Sequence, residues 1–204
     1  MTFKSAFSTV RRVAMMGLGA LAVVMVTGCA HPISIAPDMN QVPAASSKIA
    51  KTAGYYISTE DLNREVETPG GGGDKVKYAP YRELEAGLYK AFTQVFDKVV
   101  KLKSPSDAAE LGAQSVNVVI KPVINTQSSS DSAFTWPPTQ FTVDILCTVT
   151  DPTGKVLVST QSTGQGAATF SEFKSDFSLS AKRAAQDALS KVVKDLSSAE
   201  ALRR

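Results

Sequence analysis

The first 28 residues divide this chain into a part that can join a folded core and a part that cannot. Lys4, Arg11 and Arg12 stand near the start, with no acidic residue among them. Residues 13–26 are then apolar apart from two glycines. A stable membrane-spanning helix needs roughly 20 consecutive apolar residues, so this tract is too short to be one. A basic start, a short apolar middle and small residues at the end make a secretory signal. Arg11-Arg12 does not make it a twin-arginine signal, because Val13-Ala14 follows where a large apolar residue is wanted.

Setting the signal aside changes the charge argument. The whole chain has formal charge +3, with 22 basic and 19 acidic side chains. Three of the basic ones lie in the signal, so residues 29–204 carry 19 of each sign. A neutral domain has no broad electrostatic footprint for nucleic acid, and no nucleic-acid partner is expected.

The signal ends in Val26-Thr27-Gly28-Cys29. This resembles the lipobox of bacterial lipoproteins, in which an aliphatic residue, two small residues and a cysteine are read by a lipoprotein-specific peptidase. The resemblance implies cleavage before Cys29, attachment of diacylglycerol to its thiol and acylation of the new amino terminus. Lipid anchoring gains about 0.8 kcal/mol per buried CH₂, so several chains on one cysteine hold a protein essentially permanently. Ala30 follows, where an aspartate would favour inner-membrane retention; the expected address is therefore the periplasmic face of the outer membrane. The expected organisation is a signal peptide at 1–28, the lipidated cysteine and a tether at 29–52, and one domain at 53–204. Residues 30–52 read as a tether from their Ala, Ser and Pro content, although His31 to Ile35 can pair as a short first strand.

Catalytic chemistry finds little to work with. There are two cysteines and one histidine. Cys147 alternates with Phe141, Val143, Ile145 and Val149 on one face of a strand, which makes it a small buried hydrophobe. A single histidine, His31, excludes most metal sites and the usual Ser-His-Asp arrangements. The close carboxylates Glu60-Asp61, Glu65 and Glu67, and Glu83 and Glu85 read as surface charge in polar loops or on the solvent side of a helix. Gly70 to Gly73 is followed by Asp74, which would repel phosphate, so the run is not a phosphate loop. It reads as a mobile loop, since four glycines lose too much backbone entropy to form a regular element. No enzyme activity, metal or cofactor is expected.

Periodicity supplies the elements. Leu84, Leu88, Phe92, Val95, Val99 and Leu102 form one apolar stripe, which predicts a helix over 81–103. Ser106 is the expected cap of a short helical turn ending at Gly112. Strands are expected over 53–58, 115–126 and 141–150, and again over 155–168, with Pro122 marking an edge or bulge. Asp151-Pro152-Thr153-Gly154 is a turn by composition, so the last two strands make a hairpin. The small, polar stretch 159–166 suggests an exposed or twisted strand end. A final helix over 178–201 presents the narrow stripe Ala181, Ala185, Ala188, Leu189, Val192 and Leu196, and small residues let a helix lie close to a sheet. The expected fold is α+β: a two-layer sandwich of an antiparallel three- to five-stranded sheet with two amphipathic helices on one face.

One motif stands apart. The chain's only tryptophan lies in the polar stretch 127–140, within Phe134-Thr135-Trp136-Pro137-Pro138. Read functionally, Phe134, Trp136, Pro137 and Pro138 are a contact for a protein, glycan or membrane surface. Read structurally, the two rings fold back as a plug on the end of the sheet and the prolines stiffen the strand entry. In its Thr27-Gly28-Cys29 ending, Ile33-Ser34-Ile35-Ala36-Pro37 segment, 84–102 helix, Val116 to Ile120 strand, Asp151 to Gly154 hairpin and alanine-rich last helix, the chain is similar to YajG-like lipoproteins and to the lipopolysaccharide-assembly lipoproteins. That resemblance implies a helix-on-sheet fold and an accessory role in the envelope, binding or assembling a protein partner at the outer membrane. The alternative is a ligand-binding module for glycan, lipid or lipopolysaccharide, which needs an apolar cavity between helices and sheet.

Overall fold

A computed structural model of the chain describes residues 30–204. The signal peptide at 1–28 and the lipobox residues Val26, Thr27, Gly28 and Cys29 lie outside the described residues.

The described chain is α+β, with two mixed sheets rather than one antiparallel sheet. Strands β1 (Ala30–Pro32), β4 (Lys75–Tyr78) and β3 (Val66–Pro69) form the smaller sheet, in that order. Strands β5 (Phe96–Lys101), β2 (Ile49–Tyr55), β6 (Val118–Ser129), β7 (Gln140–Thr150) and β8 (Val156–Ala167) form the larger one. β6, β7 and β8 are antiparallel neighbours, as the alternation and the Asp151 turn predict. β1 is parallel to β4, and β2 is parallel to both β5 and β6. Parallel pairing needs crossover connections. Helices α1 (Thr59–Asn63) and α2 (Pro80–Val95) lie in the connection from β2 to β5, and α3 (Ala108–Ala113) in that from β5 to β6. A short helix, α4 (Phe170–Phe173), and the long α5 (Leu179–Ser198) follow β8.

The stripe expected as one helix over 81–103 is split. α2 stops at Val95, and Phe96 turns extended at φ −111°, ψ 152° while its N–H still bonds to the Phe92 carbonyl. Residues 96–101 then pair as β5, with Ala53 opposite Val99 and Tyr55 opposite Lys101. The Val99-Val100 pair favours a pleated surface, and Val99 is buried either way. A free sheet edge beside β2 decides between the two periods. α3 is capped one residue later than expected: the Asp107 carboxylate, not Ser106, accepts from the N–H groups of Ala109 and Glu110.

Residues 30–52 are not a tether. Ile33, Ile35, Val42 and Ile49 are buried in the main core. The Ile35 N–H donates to the Glu83 carboxylate (2.7 Å), which also accepts from Ala79 N–H at the start of α2 (3.1 Å). Burying four aliphatic side chains stabilises by about 1.5–3 kcal/mol each, which outweighs the polar composition around them.

Both long helices pack on one face of the larger sheet. Leu84, Leu88 and Phe92 of α2 share a continuous core with Ala184, Ala188 and Leu189 of α5 and with Val143, Ile145 and Cys147 of β7. A smaller cluster of Leu102, Leu111, Val116 and Val119 lies on the other face, with α3. The stretch 159–166 is not a loose end either. It is the face on which α5 lies: a Cβ at Gly164 would sit 2.1 Å from the Ala184 carbonyl oxygen, and one at Gly166 2.0 Å from that of Ser180. Ser162 is buried and donates to Asp195 (2.6 Å).

Pro122 falls where β6 extends beyond its parallel neighbour β2, which pairs only with residues 118–120. Beyond it the open side is already used. The Ile124 N–H donates to the Tyr81 hydroxyl (3.0 Å), and the Tyr78 hydroxyl donates to Thr126 Oγ1 (2.6 Å). Among the described residues no helix is long and apolar enough to cross a membrane.

Candidate functional site

The two motifs left unexplained by periodicity, the glycine run and the Trp-Pro-Pro loop, are built against each other. β3 and β4 form an antiparallel hairpin with Pro69 opposite Lys75, and the glycines make its turn. The run therefore forms the turn of this hairpin, with hydrogen bonds to the neighbouring loop, rather than an unpaired connection. Gly72 and Gly73 have φ of +66° and +85°, a region that side chains rarely adopt. Gly70 and Gly71 serve a different need. A Cβ at Gly71 would lie 1.9 Å from the Thr135 carbonyl oxygen, and one at Gly70 2.3 Å from that of Trp136. The close approach is hydrogen-bonded: Gly71 N–H donates to the Trp136 carbonyl (2.8 Å) and Gly72 N–H to that of Ser132 (3.1 Å).

On this base the loop from 130 to 139 presents an aromatic platform. Trp136 is half-buried. Its indole stacks on the His31 ring at 4.3 Å and 18°, and meets Phe177 at 5.0 Å. His31 Nε2 lies 3.2 Å from an Asp74 carboxylate oxygen. Phe134 is 97% exposed and Phe177 49%. Pro137 and Pro138 are buried, and the Pro138 carbonyl accepts from the buried Ser180 hydroxyl (2.7 Å). The four candidate residues thus divide the two readings between them. The prolines brace the loop, Trp136 is part plug and part surface, and Phe134 faces outward.

Sequence reasoning missed Phe177 and the partnership with His31. Phe170, Phe173 and Phe177 recur at spacings of three and four before the last helix, a signal that could have drawn attention. In the structure Phe173 is buried, while Phe170 is exposed and lies under the Lys174 ammonium (4.7 Å). Three nearby cations are ion-paired: Lys75 with Glu67, Lys182 with Asp176 and Arg183 with Glu172. Arg183 and the Thr169 backbone and hydroxyl hold the Glu172 carboxyl down to about 2.

Other candidate groups do not converge. Glu67 lies on β3 and Glu65 immediately before it, rather than in a loop; Glu65 meets Lys77 at 2.6 Å and Glu85 meets Lys101 at 2.5 Å. The Cys147 thiol is fully buried, and that burial, with the Asp195 charge nearby, pushes it up to about 12, so it stays protonated. Among the described residues no hydroxyl hydrogen-bonds to His31, and no three His, Cys, Asp or Glu side chains come together as metal ligands.

No family model and no curated protein matches the chain. Among solved structures it is similar to a DUF330 protein from Xanthomonas campestris, with 12% identity and a TM-score of 0.43 over 84% of this chain and 92% of that one. It is also similar to a PelC dodecamer from Paraburkholderia phytofirmans, with 16% identity and a TM-score of 0.40 over 76% of this chain and 92% of that one. Both are loose likenesses of chain path and carry no assignment of function.

Proposed function

We propose that this chain is a non-catalytic, lipid-anchored accessory lipoprotein of the bacterial outer membrane, with a two-layer helix-on-sheet domain on the periplasmic face that binds or assembles an envelope protein partner. The observation that carries the reading is where the domain begins. Ala30, bonded to the lipobox Cys29, opens a strand whose next residue stacks on Trp136. Anchor and aromatic platform therefore share one end of the molecule. The non-catalytic part of the reading is supported by ion-paired carboxylates, a buried thiol and a histidine already engaged by Asp74 and Trp136.

Mass spectrometry of the native protein is the direct test. The expected product starts at Cys29 and carries diacylglycerol and an acyl chain. An unmodified thiol or an intact leader overturns the reading. Crosslinking in intact cells followed by recovery of the lipidated protein tests the partner; recovery of no envelope protein above background counts against it.

One observation favours the alternative, a ligand-binding module. A groove of about 450 Å³ runs outside α5, lined by Asp38, Gln41, Lys182, Arg183, Gln186 and Asp187. Its charged and polar lining suits a glycan, although both amide atoms of Gln186 are themselves buried, without a hydrogen-bond partner. It is not the apolar cavity between helices and sheet that a lipid ligand needs. Titration with envelope oligosaccharides, followed by amide shifts confined to this groove and lost in Gln41→Ala, whose side chain is exposed at the groove, would support it; no shift at millimolar sugar counts against it.

A further inference from the structure

We propose that the Phe134, Trp136 and Phe177 platform is a membrane seat: it enters the interfacial layer of the same phospholipid bilayer that holds the lipid on Cys29. The proposal rests on the anchoring reading and adds an orientation to it.

The absence of slack is the first argument. A folded domain on a long tether can stand off from its bilayer. Here the stretch expected as tether is part of the fold, with Ile33, Ile35, Val42 and Ile49 buried. β1 is paired to β4 from Ala30 onward. Consecutive Cα atoms are about 3.8 Å apart, so a lipid on Cys29 begins within one residue of a strand whose His31 ring lies against Trp136. When the acyl chains are inserted, this end of the domain is against the headgroups.

Side-chain chemistry is the second. Tryptophan and other aromatics favour the bilayer interface, where one end of the ring is apolar and the other wet. Phe134 is almost fully exposed, yet it stands on a loop braced by the backbone of Gly70, Gly71 and Gly72 and by two buried prolines. A braced loop keeps the ring outward instead of letting it collapse onto the domain. Lys75, Lys182 and Arg183 beside the platform are ion-paired, and Lys174 is offset in number by Asp131 on the loop, so no excess of free positive charge draws the seat to anionic headgroups and it depends on ring insertion. The opposite end of β7, with the Asp151 to Gly154 turn, then points away from the bilayer, about 35 Å from the platform at 3.3 Å per residue.

Trp136 is the chain's only tryptophan, so its fluorescence reports the platform alone. The full lipidated protein is reconstituted in vesicles of phosphatidylethanolamine and phosphatidylglycerol, with or without bromine near the top of the acyl chains. The expected result is a blue shift, quenching by the brominated lipid and protection from iodide, all unchanged when phosphatidylcholine replaces the anionic lipid. Phe134→Ser, which removes an exposed ring, should lose most of the bromine quenching while the protein still floats with the vesicles. Floating protein whose Trp136 is open to iodide overturns the seat and leaves the anchoring intact. Trp136 shielded from both quenchers on floating protein also overturns it, in favour of a protein covering the platform. Protein that does not float and carries an unmodified Cys29 overturns the anchoring, and the seat falls with it.

Discussion

Two regions of this molecule use glycine to bring backbone within contact distance, and they do opposite things with it. At the junction of β8 and α5, Gly164 and Gly166 let a helix lie on the face of a strand, and both glycines are buried with Ala184 and Ala188. At the platform, Gly70 and Gly71 let a hairpin turn support a loop, and the tip of that loop presents the exposed Phe134. The first contact removes apolar surface from water and supports the fold. The second uses the same device to hold the Phe134 ring in water, where it adds little to stability, beside a half-buried Trp136. Such a surface is expected of a site selected for contact rather than for folding.

Substitutions can break this contrast. Gly164→Ala places a methyl against the backbone of Ala184 and Ala188, neither of which can move without lifting α5. Overpacking of this kind costs about 3 kcal/mol or more, and urea unfolding should show a large loss of midpoint. Gly71→Ala meets the Thr135 carbonyl just as closely, but the loop can yield. The expected loss is about 1–2 kcal/mol, with a shifted Trp136 emission and an unchanged far-ultraviolet spectrum. If both variants lose equal stability, the platform is part of the fold and the contrast fails.

A pH titration sharpens it from another side. Glu172 bonds to Arg183 and closes the capping box of α4 with Thr169. Its carboxyl is held at about 2 in the folded chain against an ordinary 4.5. A lowered folded value means the contribution is present above pH 4.5 and is lost as pH falls from there through about 2. The α4 segment, which leads to Phe177, should therefore loosen in that window before the core does, read by amide exchange of residues 169–177. Glu172→Gln should remove the pH dependence there. Phe134→Ala should be the mildest change, within about 0.5 kcal/mol in any unfolding assay, because the ring touches mainly solvent. A larger loss would mean the ring is packed.

How much of this was legible in the residues depends on the range of the interaction. Alternation along 141–150, the Asp-Pro-Thr-Gly turn and the 81–95 part of the apolar stripe are local signals, and the structure has the corresponding strand, turn and helix. The 96–103 part was misread because Val99 and Leu102 satisfy helical spacing and strand burial alike; only the vacancy beside β2 distinguishes them. The tether was misread because four aliphatic residues scattered among Ala, Ser and Pro make no periodic pattern, yet each finds a place in the core. The small, polar stretch 159–166 gave the same difficulty, since missing side chains look alike whether water or a helix takes their place.

The amino-acid sequence by itself determined the charge balance, the position of Cys29 after a short apolar tract, the hairpin and the two principal helices, because each depends on neighbours a few residues away. Tertiary structure alone decided that the sheet is mixed, that the glycine run supports the tryptophan loop, and that both meet the first described strand. Those contacts join residues about 40 to 105 positions apart, and which backbone passes over which is a question of packing space that local preference cannot answer.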